Sequence, residues 1–137
     1  MIVADASAIG DVLLDNRHAS ALRSVLAGHS AIHVPEHFHV EIISLLRSHA
    51  LRGELGERRR AQAVSCLRGL RVVRYSAIEL LDAVWELRDS LSAYDAAYLA
   101  LARQLGLSLV TCDGGLAEAA RAEGRLAELP AARSVGP

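Results

Sequence analysis

Apolar residues recur along this chain in two rhythms. Short runs in which nearly every position is apolar, such as "IVA", "AIHVP" and "LSLVT", alternate with longer stretches whose apolar residues return every three or four positions. The first rhythm suits a strand covered on both faces, the second a helix with one buried stripe. Strands alternating with helices in this way predict an α/β fold, with a parallel sheet covered by helices on both sides.

In order, the pattern predicts a strand over 1–5 and a helix from Ala6 that breaks at Asp15-Asn16-Arg17-His18. The helical pattern resumes over 19–27 until Gly28 stops it. A strand over 31–35 leads through Pro35 into a helix reaching Leu51, with Ile42, Leu45, Leu46 and Ala50 as its buried stripe. Gly53 and Gly56 bracket a turn before a helix over 57–69, a strand over 70–76, and a helix over 78–88 with its leucines and Trp85 turned inward. Ser92, followed three residues later by Asp95, is a capping-box variant that opens a helix closed at Gly106. A strand over 107–113 then meets Gly114-Gly115, a helix over 116–124, and a last short strand within 125–130. The expectation is one domain over 1–130 and a flexible tail over 131–137.

Composition narrows the chemistry. At 137 residues the chain can bury roughly two-thirds of its unfolded surface, enough for a core without a second domain. All 15 basic residues are arginine, which excludes P-loops, Schiff-base chemistry and receiver domains, each of which needs a lysine. Cys66 and Cys112 lie far apart, so neither a disulfide framework nor a cysteine zinc site is expected, and both are expected to be buried. No apolar run approaches membrane-spanning length and no leader pattern opens the chain, so the expected location is cytoplasmic, without a membrane partner.

Against that background four acids stand out. Asp5 ends the first predicted strand and Asp113 ends "LSLVT", so in a parallel sheet both emerge at the edge where ligands bind. Each also has a local explanation: Asp is a preferred N-cap, and an acid in a first helical turn favours the helix dipole, as Asp95 does. Glu41 borders the buried stripe of its helix, either at a solvated rim or in a site. If all four converge, mutual repulsion becomes decisive, because two unit charges about 4 Å apart repel by roughly 4 kcal/mol at an effective dielectric near 20. Raised pKa values or a bound cation would relieve that strain. Oxygen-only donors suit Mg²⁺ or Mn²⁺, and the chemistry that follows is phosphodiester hydrolysis. Ser7 could add a hydroxyl. With the four acids set aside the chain is net basic, and Arg58-Arg59-Arg60, Arg68, Arg71 and Arg74 form either a solvated helix face or a track for a nucleic-acid backbone.

The segments "IVADASAIGDVLL", "VPEHFHVEIISLLRSHALRGEL" and "LSAYDAAYLALARQLGLSLVTCDGGLAEAA" resemble the PIN-domain family, and within it the VapC toxins of type II toxin–antitoxin pairs. The resemblance covers residues 1–129. It implies a three-layer α/β/α sandwich and Mg²⁺- or Mn²⁺-dependent endoribonuclease activity, with RNA hydrolysed by metal-activated water. It implies that Asp5, Glu41, Asp95 and Asp113 are the catalytic, metal-holding residues, supported by Ser7, Thr111 and Ser44. It further implies homodimers, and a small cognate antitoxin that assembles with the toxin into a heterotetramer or larger complex. The chain departs from the family pattern at Ser44, where relatives often carry Asn, and at Ser92, where many carry Thr.

Three other readings are open. A haloacid-dehalogenase-like phosphatase would need a second aspartate where this chain has Ser7, and a later lysine. A zinc site could start from His37 and Glu41, four apart on one helix face, but His33, His39 and His49 supply no clear third ligand. The serious alternative is a catalytically silent module that binds RNA or a partner. Tyr94 and Tyr98 are expected in the core or at a dimer contact rather than as base-stacking platforms.

Overall fold

Residues 1–130 are described by the computed structural model; the tail expected over 131–137 lies outside the described residues. Four short strands carry the apolar runs: β1 (Ile2–Ala4), β2 (Ile32–Pro35), β3 (Val73–Tyr75) and β4 (Leu109–Val110). All pair in parallel in the order β3-β2-β1-β4, with Ile2 opposite Ile32, Val3 opposite Leu109 and His33 opposite Val73. All four strands therefore end at one edge. β1 lies inside the sheet, which is why its three residues are fully buried.

Helices cover both faces, giving an α/β/α sandwich. On one side α1 (Ala6–Leu14), α2 (Ala19–Ala27), α3 (Phe38–Leu51) and α4 (Glu57–Gly69) pack around one another. α1 meets α3 closely at Gly10, where a Cβ atom would sit only 3.0 Å from Leu45 Cδ1. On the other side α6 (Ala93–Leu105) lies on β1, β2 and β4, flanked by α5 (Leu81–Glu86) and α7 (Gly114–Ala122). Alanines at 96, 97, 100 and 102 let α6 approach the sheet, and every residue from Ala96 to Ala102 is buried. Ser92 caps this helix, its Oγ accepting the Asp95 amide at 3.2 Å. Gly106 closes it in the left-handed conformation at φ 65°. Among the described residues no helix is long and apolar enough to cross a membrane.

The structure corrects several expectations. The helix over 78–88 is a 3₁₀ turn, Ala77–Leu80, followed by α5. Its inward stripe is Leu80, Ala83, Val84 and Leu87. Helical spacing thus leaves Leu81 and Trp85 on the opposite side, and Trp85 is 68% exposed with the Arg88 guanidinium 4.7 Å over its ring. The strand expected over 125–130 contracts to one parallel bridge between Leu126 and Leu109. Cys66 is exposed and Cys112 half-buried, because Cys66 falls off the Ala63–Leu67 contact line of α4. Tyr98 is fully buried, as expected of a core residue, whereas Tyr94 is 64% exposed.

Candidate active site

The strand ends set the site. Asp5 follows β1 and caps α1: its carboxylate accepts the Ala8 amide at 3.0 Å. It also accepts the Ser7 hydroxyl at 2.8 and 2.9 Å and the Thr111 hydroxyl at 2.6 Å. β4 lies beside β1, so Thr111, just past its end, reaches across to Asp5. The same Thr111 Oγ1 accepts the Asp113 amide at 3.0 Å, and the Cys112 amide donates to Ser7 Oγ at 2.9 Å. Asp113 in turn caps α7, accepting the Leu116 amide at 2.8 Å. The local N-cap explanation therefore holds at both Asp5 and Asp113. Capping fixes each carboxylate at the sheet edge.

Glu41 lies one turn into α3 and is held from the opposite face of the sandwich. The Tyr98 hydroxyl of α6 donates to Glu41 Oε1 at 2.7 Å. His37, one helical turn before Glu41, places Nε2 3.9 Å from the same oxygen. The His37 ring stands edge-on to both Tyr94 and Tyr98. Its buried Nε2 has no hydrogen-bond partner among the described residues. Asp95 opens α6, half-buried, and Ser44 lies exposed beside His37, Val40, Glu41 and Tyr94 around a cleft of about 390 Å³.

Electrostatics link the four acids in a chain. Burial pushes the Asp5 carboxyl up to about 6, against the opposing hydrogen bonds from Thr111, Ala8 and Ser7, and the nearby Glu41 charge adds to the rise. Asp95 is raised by burial and then by the charges of Asp113 and Glu41. Asp5 thus senses Glu41, and Asp95 senses both Asp113 and Glu41. Burial grades outward, from Asp5 at 3% exposure through half-buried Glu41 and Asp95 to exposed Asp113.

None of the four has an arginine partner among the described residues; His37 is the one basic side chain near any of them. The donors are all carboxylate oxygens with hydroxyls behind them, a set that fits a hard divalent cation and not zinc, which favours nitrogen and sulfur. Among the described residues no three His, Cys, Asp or Glu side chains close into an ion-holding group. The acids form an open rim, a form suited to Mg²⁺, which commonly uses one or two carboxylates and completes its shell with water and phosphate oxygens.

A family model for the PIN domain matches residues 2–122. The chain belongs to the PIN-domain family. Among PIN-domain proteins it is 40% identical over 130 residues to a protein of Mycobacterium bovis named VapC ribonuclease Mb0985, covering 95% of this chain and 99% of that one. It is 35% identical over 118 residues to ribonuclease VapC12 of Mycobacterium tuberculosis, covering 86% and 91%. The crystal structure of Mycobacterium tuberculosis VapC20, described as a sarcin-ricin loop cleaving toxin, superposes with a TM-score of 0.69 over 95% of this chain and all of that one. At 19% identity that likeness concerns the PIN fold alone.

Two features at this PIN-domain rim escape a reading of the sequence, the bond from Tyr98 to Glu41 and the unpartnered Nε2 of His37. Tyr98 reads as core, and core it is, but its hydroxyl holds Glu41. The signal was its spacing: three residues after Asp95, it shares that residue's helix face. The pairing of His37 with Glu41 follows from their i, i+4 spacing, whereas the unpartnered Nε2 follows only from packing against two tyrosines.

Proposed function

We propose that this PIN-domain chain is a Mg²⁺- or Mn²⁺-dependent endoribonuclease, the toxin of a toxin–antitoxin pair. The observation that carries the reading is the acidic rim: Asp5, Glu41, Asp95 and Asp113 come from four separated points in the chain, Asp5 is raised in part by Glu41 and Asp95 by Asp113 and Glu41, and none of the four has an arginine partner among the described residues. The ribonuclease names of relatives at 35–40% identity support it.

In this reading Asp5, Glu41, Asp95 and Asp113 hold the cation, which when bound supplies Lewis acidity toward a phosphate oxygen and a water made acidic enough to attack at neutral pH. The chain supplies orientation. Ser7, Thr111 and the Ala8 amide fix both oxygens of Asp5, so it need not reorganise when substrate arrives. The Leu116 amide fixes Asp113, and Tyr98 fixes Glu41. Arginines beyond the rim, among them Arg74 beside His39, supply positive charge toward an RNA backbone. A small antitoxin, a homodimeric toxin and a cytoplasmic setting belong to the same proposal.

The test is incubation of the purified chain with total RNA in Mg²⁺, Mn²⁺ or chelator, alongside Asp5→Asn. Cleavage should require the cation and vanish in the variant. A variant that cuts as fast as the parent defeats the assignment. RNA or partner binding with no cleavage under any condition favours the silent module instead.

A further inference from the structure

Two of the rim acids are braced by their own neighbourhood in the chain: the carboxylates of Asp5 and Asp113 accept amides three residues ahead. Glu41 depends on Tyr98, 57 residues away on the opposite layer of the sandwich. A glutamate has three side-chain torsions and, left free, samples many rotamers. Tyr98 has none of that freedom: its ring is fully enclosed, with the His37 ring edge-on at 5.2 Å. A hydroxyl on an immobilised ring is a fixed point in the site. It donates to Oε1, and among the described residues no protein donor reaches Oε2. Filling the core does not call for this hydroxyl, since a phenylalanine would fill the same space without burying a polar atom.

We propose that Tyr98 is a positioning residue, whose hydroxyl holds Glu41 Oε1 so that Oε2 is presented to the divalent cation, and which registers α3 against α6. The proposal rests on reading the acidic rim as a cation site. Tyr98 sits one turn beyond Asp95 on α6, so one rigid helix both carries one rim acid and fixes another. Carboxylates that ligate metals are commonly held by such outer donors, and losing one typically weakens the metal by about 10–100-fold.

The experiment measures Mn²⁺ binding by calorimetry on the full chain. It compares the parent with Tyr98→Phe, Glu41→Ala, the double variant, Glu41→Asp and Asp5→Asn, with thermal melts in chelator to check folding. Tyr98→Phe should weaken Mn²⁺ about tenfold and add nothing in the Glu41→Ala background, the coupling expected of a residue that acts through Glu41. Glu41→Asp keeps the charge but falls short of the hydroxyl, so it should match Tyr98→Phe. Parental affinity in Tyr98→Phe overturns the proposal, as does an equal loss with and without Glu41, which would mark a packing role. If Asp5→Asn and Glu41→Ala also bind Mn²⁺ as the parent does, the cation site itself is wrong and the proposal falls with it.

Discussion

Two sets of acidic side chains in this molecule meet opposite partners. On the flanks Asp15, Glu54 and Glu128 face Arg23, Arg52 and Arg121 at 2.9 to 3.0 Å, and Glu123 pairs with Arg103. At the sheet edge Asp5, Glu41 and Asp113 are held by hydroxyls and amides instead. A guanidinium cancels a carboxylate's charge, whereas a neutral donor orients it and leaves the charge in place. In a chain with 15 arginines, the contrast separates charge paired within the fold from charge left available, as the proposed function requires. The flank pairs lie at the surface and contribute little to stability; at the rim, burial and neighbouring charge raise Asp5 and Asp95 instead, a cost that a bound cation would offset on the proposed reading.

The strongest way to break this contrast is to neutralise its centre. Asp5→Asn keeps the shape, and the Ser7 and Thr111 hydroxyls can rotate to suit the amide. RNA cleavage measured against the parent should fall by roughly two orders of magnitude or more, since positioning charge at a metal site is worth several kcal/mol.

The same residue gives the contrast a pH signature. The folded chain holds the Asp5 proton up to about pH 6, against 3.8 for an ordinary aspartate. Below both values the group is protonated folded or unfolded and has no effect. As pH rises through that window the unfolded chain ionises first, so the metal-free protein loses stability, on the order of 3 kcal/mol in full above pH 6. Chemical denaturation in chelator at a series of pH values should show this fall in the parent and a flatter profile in Asp5→Asn. Added Mn²⁺ should restore neutral-pH stability to the parent.

A finer change removes one neutral donor. Thr111→Val preserves the outline of the side chain but deprives Asp5 of its 2.6 Å hydrogen bond and the Asp113 amide of its acceptor. Stability at pH 7 should drop by about 1.5–3 kcal/mol, the usual worth of a hydrogen bond to a charged group, and calorimetry should show weaker Mn²⁺. The smallest effect belongs to the flank. Arg103→Gln breaks the Glu123 pair and should cost only about 0.5 kcal/mol in denaturation, with cleavage unchanged.

How far these features could be read from the sequence depends on whether their cause is local. The aspartates at 5 and 113 were legible because an apolar strand stops at each, and a parallel sheet sends both to one edge. The serine cap of α6 was legible for the same reason. Trp85 was misread because a bulky apolar residue invites an inward placement. The helix instead buries Leu80, Ala83, Val84 and Leu87, a stripe of smaller side chains that fits the neighbouring α6. The neighbouring of β1 and β4, which lets Thr111 reach Asp5, and the bond from Tyr98 to Glu41 span more than fifty residues and leave no periodic trace.

The run of enclosed residues from Ala96 to Ala102 gives α6 the character of an axle set in a tight bearing. It cannot turn about its own axis without driving methyl groups into the strands beneath. The aim of the side chains at its exposed end is thus guarded by alanines that touch neither substrate nor ion. On the proposed reading, a bulkier residue at Ala100 would lower RNA cleavage from within, by swinging Asp95 out of line while every reactive group remained in the chain.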